Sequence, residues 1–375
     1  MSSRRIRGLD GLRGVAILLV MAFHFFYFPL SRNVPALRAA DQFQGWASAI
    51  LLSGWIGVDL FFVLSGFLIT GILADSRLTP HYFRNFYMRR VLRIFPLYYF
   101  FLMAWAILIY IVPVLSEPVS LENHWLYLWT YTSNIVISFF GWGAIPAALD
   151  HTWTLAIEEQ FYLVWPLVIY LLSRRGALGF CLALIVLCPI GRFYAGRFEI
   201  AYMLTPFRLD SLAWGGLLAL FLREPSLEKW ATPRNFRWIA GFTSLAILGL
   251  LVKNQGLRGE DFVVTTIGLT LFASFFMSVT ALAAQGMFAD VLDARILRWF
   301  GKHSYALYIF HQPVIWALLI TEVGTSLLPD FLSQSFWSVT IYYFVLSAAI
   351  SCALAVLTWR FLEEPFLRIK RHFQH

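Results

Sequence analysis

Ten long apolar segments dominate this chain and limit what it can fold into. They cover residues 14–31, 49–73, 94–115, 152–173, 177–191, 205–222, 238–253, 262–284, 299–320 and 336–358. A helix crosses a bilayer with about 20 mostly apolar residues, so most of these segments reach or approach the required length. Only 13% of the residues are charged, whereas soluble domains carry about 25%. The sequence therefore predicts an all-α, polytopic membrane helix bundle of about ten transmembrane helices.

A further segment, 125–140, is rich in aromatic residues and is bracketed by Asn123 and Gly141. It lies in the membrane interface, re-enters the membrane, or counts as an eleventh span. Because no long polar stretch interrupts the apolar segments, we expect one membrane-embedded domain over residues 1–366. A short basic cytoplasmic tail follows over 367–375.

The basic residues are distributed unevenly between the loops. With ten spans and both termini in the cytoplasm, 22 of the 29 Lys and Arg fall on the cytoplasmic side. Such a bias is typical of cytoplasmic loops and predicts that both termini are cytoplasmic. It also accounts for the formal net charge of +8, so we expect membrane lipids and no nucleic acid as partners.

Arg13 immediately precedes the first apolar segment, which contains His24. Eleven helical steps of ~100° place the two residues on one face of a helix, about 16 Å apart. An ionisable side chain at that depth is costly and is a functional candidate by default. A neutral imidazole, with an ordinary pKa near 6.5, is suited to take a proton from a hydroxyl, so His24 is a candidate catalytic base. Arg13 is either functional or an arginine that extends to the lipid headgroups.

A basic cluster precedes the third apolar segment, where Arg90 and Arg93 lie three residues apart on one helical face. In the predicted topology they face the same side of the membrane as Arg13. They form either an ordinary basic helix end or an anion site, because paired guanidinium groups bind phosphate in a bidentate manner. A cytoplasmic ligand with phosphate groups would fit the second interpretation.

Four acidic residues lie within the apolar segments, and three of them are in the first half of the chain. Asp59 is a candidate partner for a cation or a histidine, while the nearby Ser65 is expected to serve packing or hydrogen bonding. Glu158 and Glu159 are placed near the outer end of the fourth span. Adjacent helical residues point ~100° apart, so we expect at most one of the two to face a given cavity. We take Asp59 and Glu158 as catalytic candidates.

Two later groups are candidates for binding the acceptor. Arg208 and Asp210 lie near the outer end of the sixth span, where they either compensate each other's charge or line an acceptor entrance. His311 lies about nine helical steps past Lys302, some 13 Å deep and close to the level of His24. It has either a structural hydrogen-bonding role or a place in acceptor binding. The three cysteines offer no metal-ligand spacing, and no zinc, Walker or dinucleotide motif is present, so no metal site is expected.

Five blocks, in this order, resemble the acyltransferase 3 family of integral membrane O-acyltransferases from Leu9 to about Phe366. They are the Arg13/His24 pair, the Arg90/Arg93 pair, Phe61-Phe-Val-Leu-Ser-Gly-Phe-Leu-Ile69, Thr152-Trp-Thr-Leu-Ala-Ile-Glu-Glu-Gln-Phe-Tyr162 and Tyr305-Ala-Leu-Tyr-Ile-Phe-His-Gln-Pro313. The resemblance implies acyl transfer from cytoplasmic acyl-CoA, most commonly acetyl-CoA, to a hydroxyl of a carbohydrate or glycolipid. It implies that His24 is the central catalytic residue and that Arg13, Arg90 and Arg93 serve the donor.

The resemblance also implies a multi-pass protein of the bacterial inner (plasma) membrane that uses acyl-CoA as a co-substrate and binds no permanent cofactor. Many relatives carry a C-terminal hydrolase-like domain, and we expect this chain to be the form without it. In the mechanism we expect, the thioester reaches inward to His24, while Asp59 or Glu158 orients the imidazole or binds the acceptor. Acylation of a small natural product such as an antibiotic, secondary transport, and a channel or scaffold that only binds acyl-CoA or lipid remain alternatives.

Overall fold

The computed structural model describes residues 8–31, 46–116, 121, 124–321, 323–329 and 336–373. Helices make up almost all of the described residues, which contain no β-strand. The first eight α-helices are α1 Leu9–Ser31, α2 Trp46–Leu52, α3 Gly57–Ser76, α4 Tyr82–Ile111, α5 His124–Trp129, α6 Ser133–Phe140, α7 Thr152–Leu171 and α8 Arg174–Tyr194. The others are α9 Phe198–Met203, α10 Leu209–Phe221, α11 Pro233–Lys253, α12 Leu269–Ala284, α13 Ala289–Leu292, α14 Arg295–Ile320, α15 Val323–Ser326, α16 Phe336–Thr358 and α17 Glu364–Ile369.

Short helical turns join these helices. The 3₁₀ turns are Gly54–Ile56, Pro113–Leu115, Ala147–Leu149, Thr205–Phe207, Pro225–Trp230 and Lys370–His372. Two π-helical turns, Val264–Gly268 and Trp359–Glu363, lead directly into α12 and α17. All ten apolar segments of the sequence therefore coincide with helices.

Seven helical stretches of the described chain are long and apolar enough to cross a membrane. They are Leu9–Pro29, Ser48–Ser76, Tyr82–Ile111, Arg174–Tyr194, Pro233–Lys253, Val264–Ala284 and Trp337–Ile369. Two further helices, α7 with 20 residues and α14 with 26 residues, have sufficient length but carry charged side chains. The protein is thus an all-α, multi-pass membrane helix bundle, while the exact count of spans and the cytoplasmic termini stay predictions. Arg4, Arg5 and Arg7, which we expect in the cytoplasm, lie outside the described residues.

The segment 125–140 does not form an eleventh spanning helix. It is split into α5, with 6 residues, and α6, with 8 residues. At 1.5 Å per residue, a helix of that length reaches only about 12 Å. The break falls at Tyr131, whose φ of 53° lies in the left-handed region.

Close backbone contact holds the two central helix pairs together. α1 packs most extensively on α14, and α3 packs on α10. A Cβ added to Gly14 would lie 2.2 Å from the backbone oxygen of Leu297, and one on Gly301 would lie 1.7 Å from that of Asp10. Small residues allow helices to approach this closely in membranes. The glycines therefore fix α1 against α14, the two helices that carry His24 and His311.

Candidate active site

A cavity of about 650 Å³ lies among α1, α3, α4, α7, α14 and the C-terminal turn. This volume is within the range of ordinary small-molecule sites. Its lining carries a cluster of basic side chains, which are Arg13, Arg89, Arg90, Arg93, Arg223 and Lys370. Two of them have acidic partners: Arg223 forms a two-point bridge to Asp75 at 2.7 Å, and Arg13 lies 3.7 Å from Asp10. The structure thus brings the three predicted arginines to one cavity.

Aromatic rings position the Arg90 guanidinium group in this cavity. Its guanidinium carbon lies 6.0 Å from the ring centre of Phe86 and 5.9 Å from that of Tyr162. The two rings hold the planar group, and its Nε is buried without a hydrogen-bond partner in the described structure. An arginine held by aromatic faces, with a free N–H group, can donate to a phosphate oxygen.

Three lining cations, Arg89, Arg223 and Lys370, were not predicted as site residues. Nη1 of Arg89 lies 3.5 Å from the backbone oxygen of Phe373, a contact that joins α4 to the C-terminal turn. Burial, together with Arg90, Arg89, Arg93 and Arg13, lowers the pKa of Lys370 from 10.5 to about 7. Residues that we assigned to a separate tail therefore form part of the cavity wall. The Arg-Arg doublet at 89–90 was a sequence signal for Arg89, but no pattern in the sequence indicated Lys370.

Both glutamates of α7 line the cavity, which corrects the expectation that at most one would do so. The cavity is wide enough to cover two adjacent positions of the helix. Both lie two turns into α7, and not at its start as expected. Glu158 interacts with Ser65 and Tyr162 and lies in the electrostatic range of Arg13 and Arg90. The hydroxyl groups of Ser65 and Tyr162 are hydrogen-bonded to each other at 2.5 Å, so Ser65 has the hydrogen-bonding role that we expected.

His24 and His311 are in direct contact. Nδ1 of His24 lies 3.1 Å from Nε2 of His311 and 3.0 Å from the backbone oxygen of Val20. The similar depth of the two residues, inferred from helix geometry, is confirmed. Neither Asp59 nor Glu158 contacts the His24 ring in the described structure, so the alternative in which one of them orients the imidazole has no support here, while acceptor binding by either stays a prediction.

A third histidine, His151, stands beside His311 with their ring centres 5.4 Å apart. Its Nε2 lies 3.2 Å from the backbone oxygen of Ile309. His151 directly precedes α7 and the block Thr152–Tyr162, and we predicted no role for it from the sequence. Within the described residues, no group of three His, Cys, Asp or Glu is arranged to hold a metal ion.

The cavity ends one ring short of the histidine pair. Its inner wall includes Phe61, Thr154 and Tyr308. The Tyr308 hydroxyl lies 2.6 Å from Oγ1 of Thr154, and its ring centre is 5.4 Å from that of His311. Neither His24 nor His311 is among the described lining residues. We expected the cavity to reach His24 directly, and in this structure Tyr308 separates them.

The remaining predicted site residues form two buried ion pairs. Nη2 of Arg208 lies 2.9 Å from Oδ1 of Asp59, and Arg192 forms a two-point bridge to Asp210 at 3.0 and 2.8 Å. All four side chains are inaccessible to solvent. Arg208 and Asp210 therefore do not form a direct pair with each other, since each is bonded to a residue of another helix. Arg192 was not predicted, although it is a charged residue at the end of an apolar segment.

Burial changes the interpretation of the three residues that we predicted to bind the acceptor. Arg208, Asp210 and His311 are each 0% exposed. A fully buried side chain does not contact an incoming acceptor in this conformation. Asp59, a catalytic candidate, has the expected cation partner in Arg208, and Ser211 donates to it at 2.8 Å. Its contacts are those of a structural ion pair within the bundle.

Comparison with known proteins identifies the family. The acyltransferase-domain model of the acyltransferase 3 family matches residues 6–359. The chain belongs to the acyltransferase 3 family. This membership agrees with the five sequence blocks, whose side chains line the cavity or form the histidine contact.

Several curated bacterial proteins are similar over most of the chain. YrhL of Bacillus subtilis, provisionally named a peptidoglycan O-acetyltransferase, is 29% identical over 96% of this chain and 55% of its own length. The O-acetyltransferase OatA of Staphylococcus aureus is 28% identical over 97% of this chain and 57% of its own. The peptidoglycan O-acetyltransferase OatA of Listeria monocytogenes is 26% identical, over 97% and 56%. The chain thus spans a little over half the length of these relatives. No solved structure gave a significant match.

Proposed function

We propose that this protein is a membrane-bound O-acyltransferase that moves an acetyl group from cytoplasmic acetyl-CoA to a hydroxyl of a cell-envelope carbohydrate. The observation that carries the proposal is the cationic cavity that ends one ring from the His24–His311 pair. The names of the relatives support an acetyl group and a peptidoglycan acceptor. Acyl-CoA as donor is supported by the basic lining and by the family.

The donor's phosphate groups would be held by guanidinium groups of α4. Arg90 and Arg93 lie in the cavity with Arg89 and Lys370 around them. Hydrogen bonds from charged donors to phosphate are about twice as strong as neutral ones. The acyl end of the donor would then point toward Tyr308, whose ring has to move before the thioester meets His24.

The reaction needs one base near the acceptor hydroxyl. Nε2 of His24 takes the hydroxyl proton while the oxygen attacks the thioester carbonyl. The tetrahedral intermediate then breaks the carbon–sulfur bond and leaves the ester on the acceptor. The leaving CoA thiolate recovers the proton from His24, so the enzyme returns to its starting state. His24 is half-buried, and its Nε2 has no partner within the described chain, which leaves this atom free for a substrate.

The test is acetyl transfer by purified protein in lipid nanodiscs, with acetyl-CoA and soluble peptidoglycan fragments. We expect release of CoA thiol and a mass increase of the fragment by one acetyl group. His24→Ala should lower kcat by about 10²–10⁴-fold, the usual contribution of a general base. His303→Ala is the matched control, because His303 also lies on a bundle helix but, within the part of the chain that the structure describes, its ring hydrogen-bonds only the backbone oxygen of Trp299, at 2.9 Å.

Two results would contradict the proposal. Normal acetyl transfer by a folded His24→Ala protein would show that His24 is not the base. Acetyl-CoA consumption that needs an ion gradient would favour transport. Failure with peptidoglycan fragments alone, alongside transfer to another hydroxyl compound, would correct only the acceptor.

A further inference from the structure

The hydrogen bonds around His311 determine which of its ring nitrogens carries the proton. Its Nδ1 lies 2.7 Å from the backbone oxygen of Tyr308 and 3.1 Å from that of Leu307. A carbonyl oxygen can only accept, so Nδ1 of His311 must be the N–H group. In a neutral imidazole the other nitrogen then bears the lone pair. Nε2 of His311 is therefore an acceptor, and it faces His24.

The same reasoning fixes the tautomer of His24. Nδ1 of His24 lies between two acceptors, the Val20 oxygen at 3.0 Å and Nε2 of His311 at 3.1 Å. This nitrogen must be protonated, because a lone pair there would face two others. The lone pair of a neutral His24 is consequently on Nε2, the nitrogen that the proposed function uses as the base.

We propose that His311 is a positioning residue that holds His24 in the Nδ1–H tautomer and keeps its Nε2 available as the base. This inference rests on the proposed function, in which His24 takes the acceptor's proton. His311 would accept the Nδ1–H bond throughout and would bind it more strongly when His24 is charged, since hydrogen bonds from ionised donors are stronger. In serine hydrolases a buried aspartate performs this service for the catalytic histidine.

A neutral acceptor suits this position in the bundle. His311 is fully buried in α14, among Phe25, His151 and Tyr308. An ionised carboxylate would be expensive there without a cation beside it. An imidazole whose own N–H donates to the helix backbone supplies a lone pair without adding a charge. The device also explains why α1 and α14 are held at backbone contact distance.

The first test compares two variants at His311. His311→Ala removes the acceptor, so we expect kcat to fall on the order of 100-fold, by analogy with a base held in the wrong tautomer. KM for acetyl-CoA should stay unchanged, because His311 is not part of the cavity lining. His311→Gln places an amide oxygen near the former Nε2 and should recover at least a tenth of the parent kcat. His303→Gln, on the same helix, is the matched control and should leave kcat unchanged.

The second test reads the tautomer directly. With ¹⁵N-labelled histidine in nanodiscs, NMR separates protonated from lone-pair ring nitrogens, and His24→Gln assigns the His24 signals. We expect protonated Nδ1 in the parent and in His311→Gln, and a larger fraction of the Nε2–H tautomer in His311→Ala, where the Val20 oxygen alone remains as an acceptor. A protonated Nε2 in the parent, or a parent-like kcat in His311→Ala, would overturn the inference.

The outcomes separate the two proposals. An active His24→Ala protein would contradict the proposed function itself. An inactive His24→Ala protein together with a fully active His311→Ala protein would contradict only the role of His311. If His311→Gln fails to recover activity although His24 keeps its tautomer, His311 serves packing alone and the positioning role is wrong.

Discussion

Lys370 is a single side chain whose charge depends on its surroundings near neutral pH. Its side chain is half-buried near Arg13 on α1 and three arginines on α4, and this burial together with the positive charges lowers its pKa to about 7. Glu158 and Glu159 of α7 line the same cavity. At pH 8 much of the Lys370 population is neutral when the cavity holds no anion. A phosphate group beside it would favour the charged form and raise that pKa again.

We therefore expect acetyl-CoA binding to take up a proton between pH 7 and 9. Affinity should be greatest below pH 7 and fall as the pH rises, by up to about tenfold per unit, because free Lys370 loses its proton. The measurement is KM for acetyl-CoA against pH. Lys370→Arg, which stays charged, should show a flatter profile. An equally steep profile in that variant would assign the dependence to another group.

The ion pair of Asp59 and Arg208 gives a second prediction at this scale. Both side chains are fully buried, and Arg208 also stacks on Phe62 and Tyr202, at 5.4 and 5.1 Å from their ring centres. Removing one partner leaves an uncompensated buried charge, which costs about 3–5 kcal/mol. Asp59→Asn should therefore lower the melting temperature in detergent, and adding Arg208→Met should recover part of the loss.

The same variant distinguishes a structural Asp59 from a catalytic one. If the pair is structural, the Asp59→Asn molecules that remain folded should keep kcat within a few-fold of the parent. A stable Asp59→Asn protein without acetyl transfer would return Asp59 to the list of catalytic residues.

At the scale of helices, the pairing of α1 with α14 sets the distance between the two histidines. Gly14 contacts the backbone of α14 so closely that a Cβ there would lie 2.2 Å from the oxygen of Leu297. Gly14→Ala should push the helices apart and lengthen the His24–His311 hydrogen bond, about 15 Å away along the axis. We expect kcat to fall at least tenfold in a protein that still inserts.

Gly241 on α11 is the matched control. A Cβ added there meets nothing within 4 Å, and alanine stabilises a helix relative to glycine by about 1 kcal/mol. Gly241→Ala should therefore keep its activity and be equally or more stable. Equal activity in Gly14→Ala would show that the histidine contact tolerates displacement of α1.

Helices were the most predictable level of this structure. Each apolar segment became a helix, since a backbone in lipid has to satisfy its hydrogen bonds internally. The segment 125–140 was ambiguous because its composition suits the membrane while the break at Tyr131 depends on local backbone geometry. The paired position of His24 and His311 was partly predictable, because helix geometry gave both depths but not which helices are neighbours.

At the scale of the whole molecule, the sequence identified the chemical groups but not their partners. Arg13, Arg90 and Arg93 meet in one cavity, as their common side of the membrane suggested. The partners of Asp59 and Asp210 could not be predicted, because each arginine lies on a different helix from its aspartate. Which helices are neighbours depends on the tertiary packing. For the same reason Lys370, at the far end of the chain, could not be assigned to the cavity.

Tyr308 lines the cationic cavity and also contacts His311, so its ring stands between that cavity and the histidine pair. For an enzyme of the proposed kind, a bound thioester would wait on the far side of this ring from the base. Such an arrangement would protect a reactive acyl group from hydrolysis until an acceptor is in place.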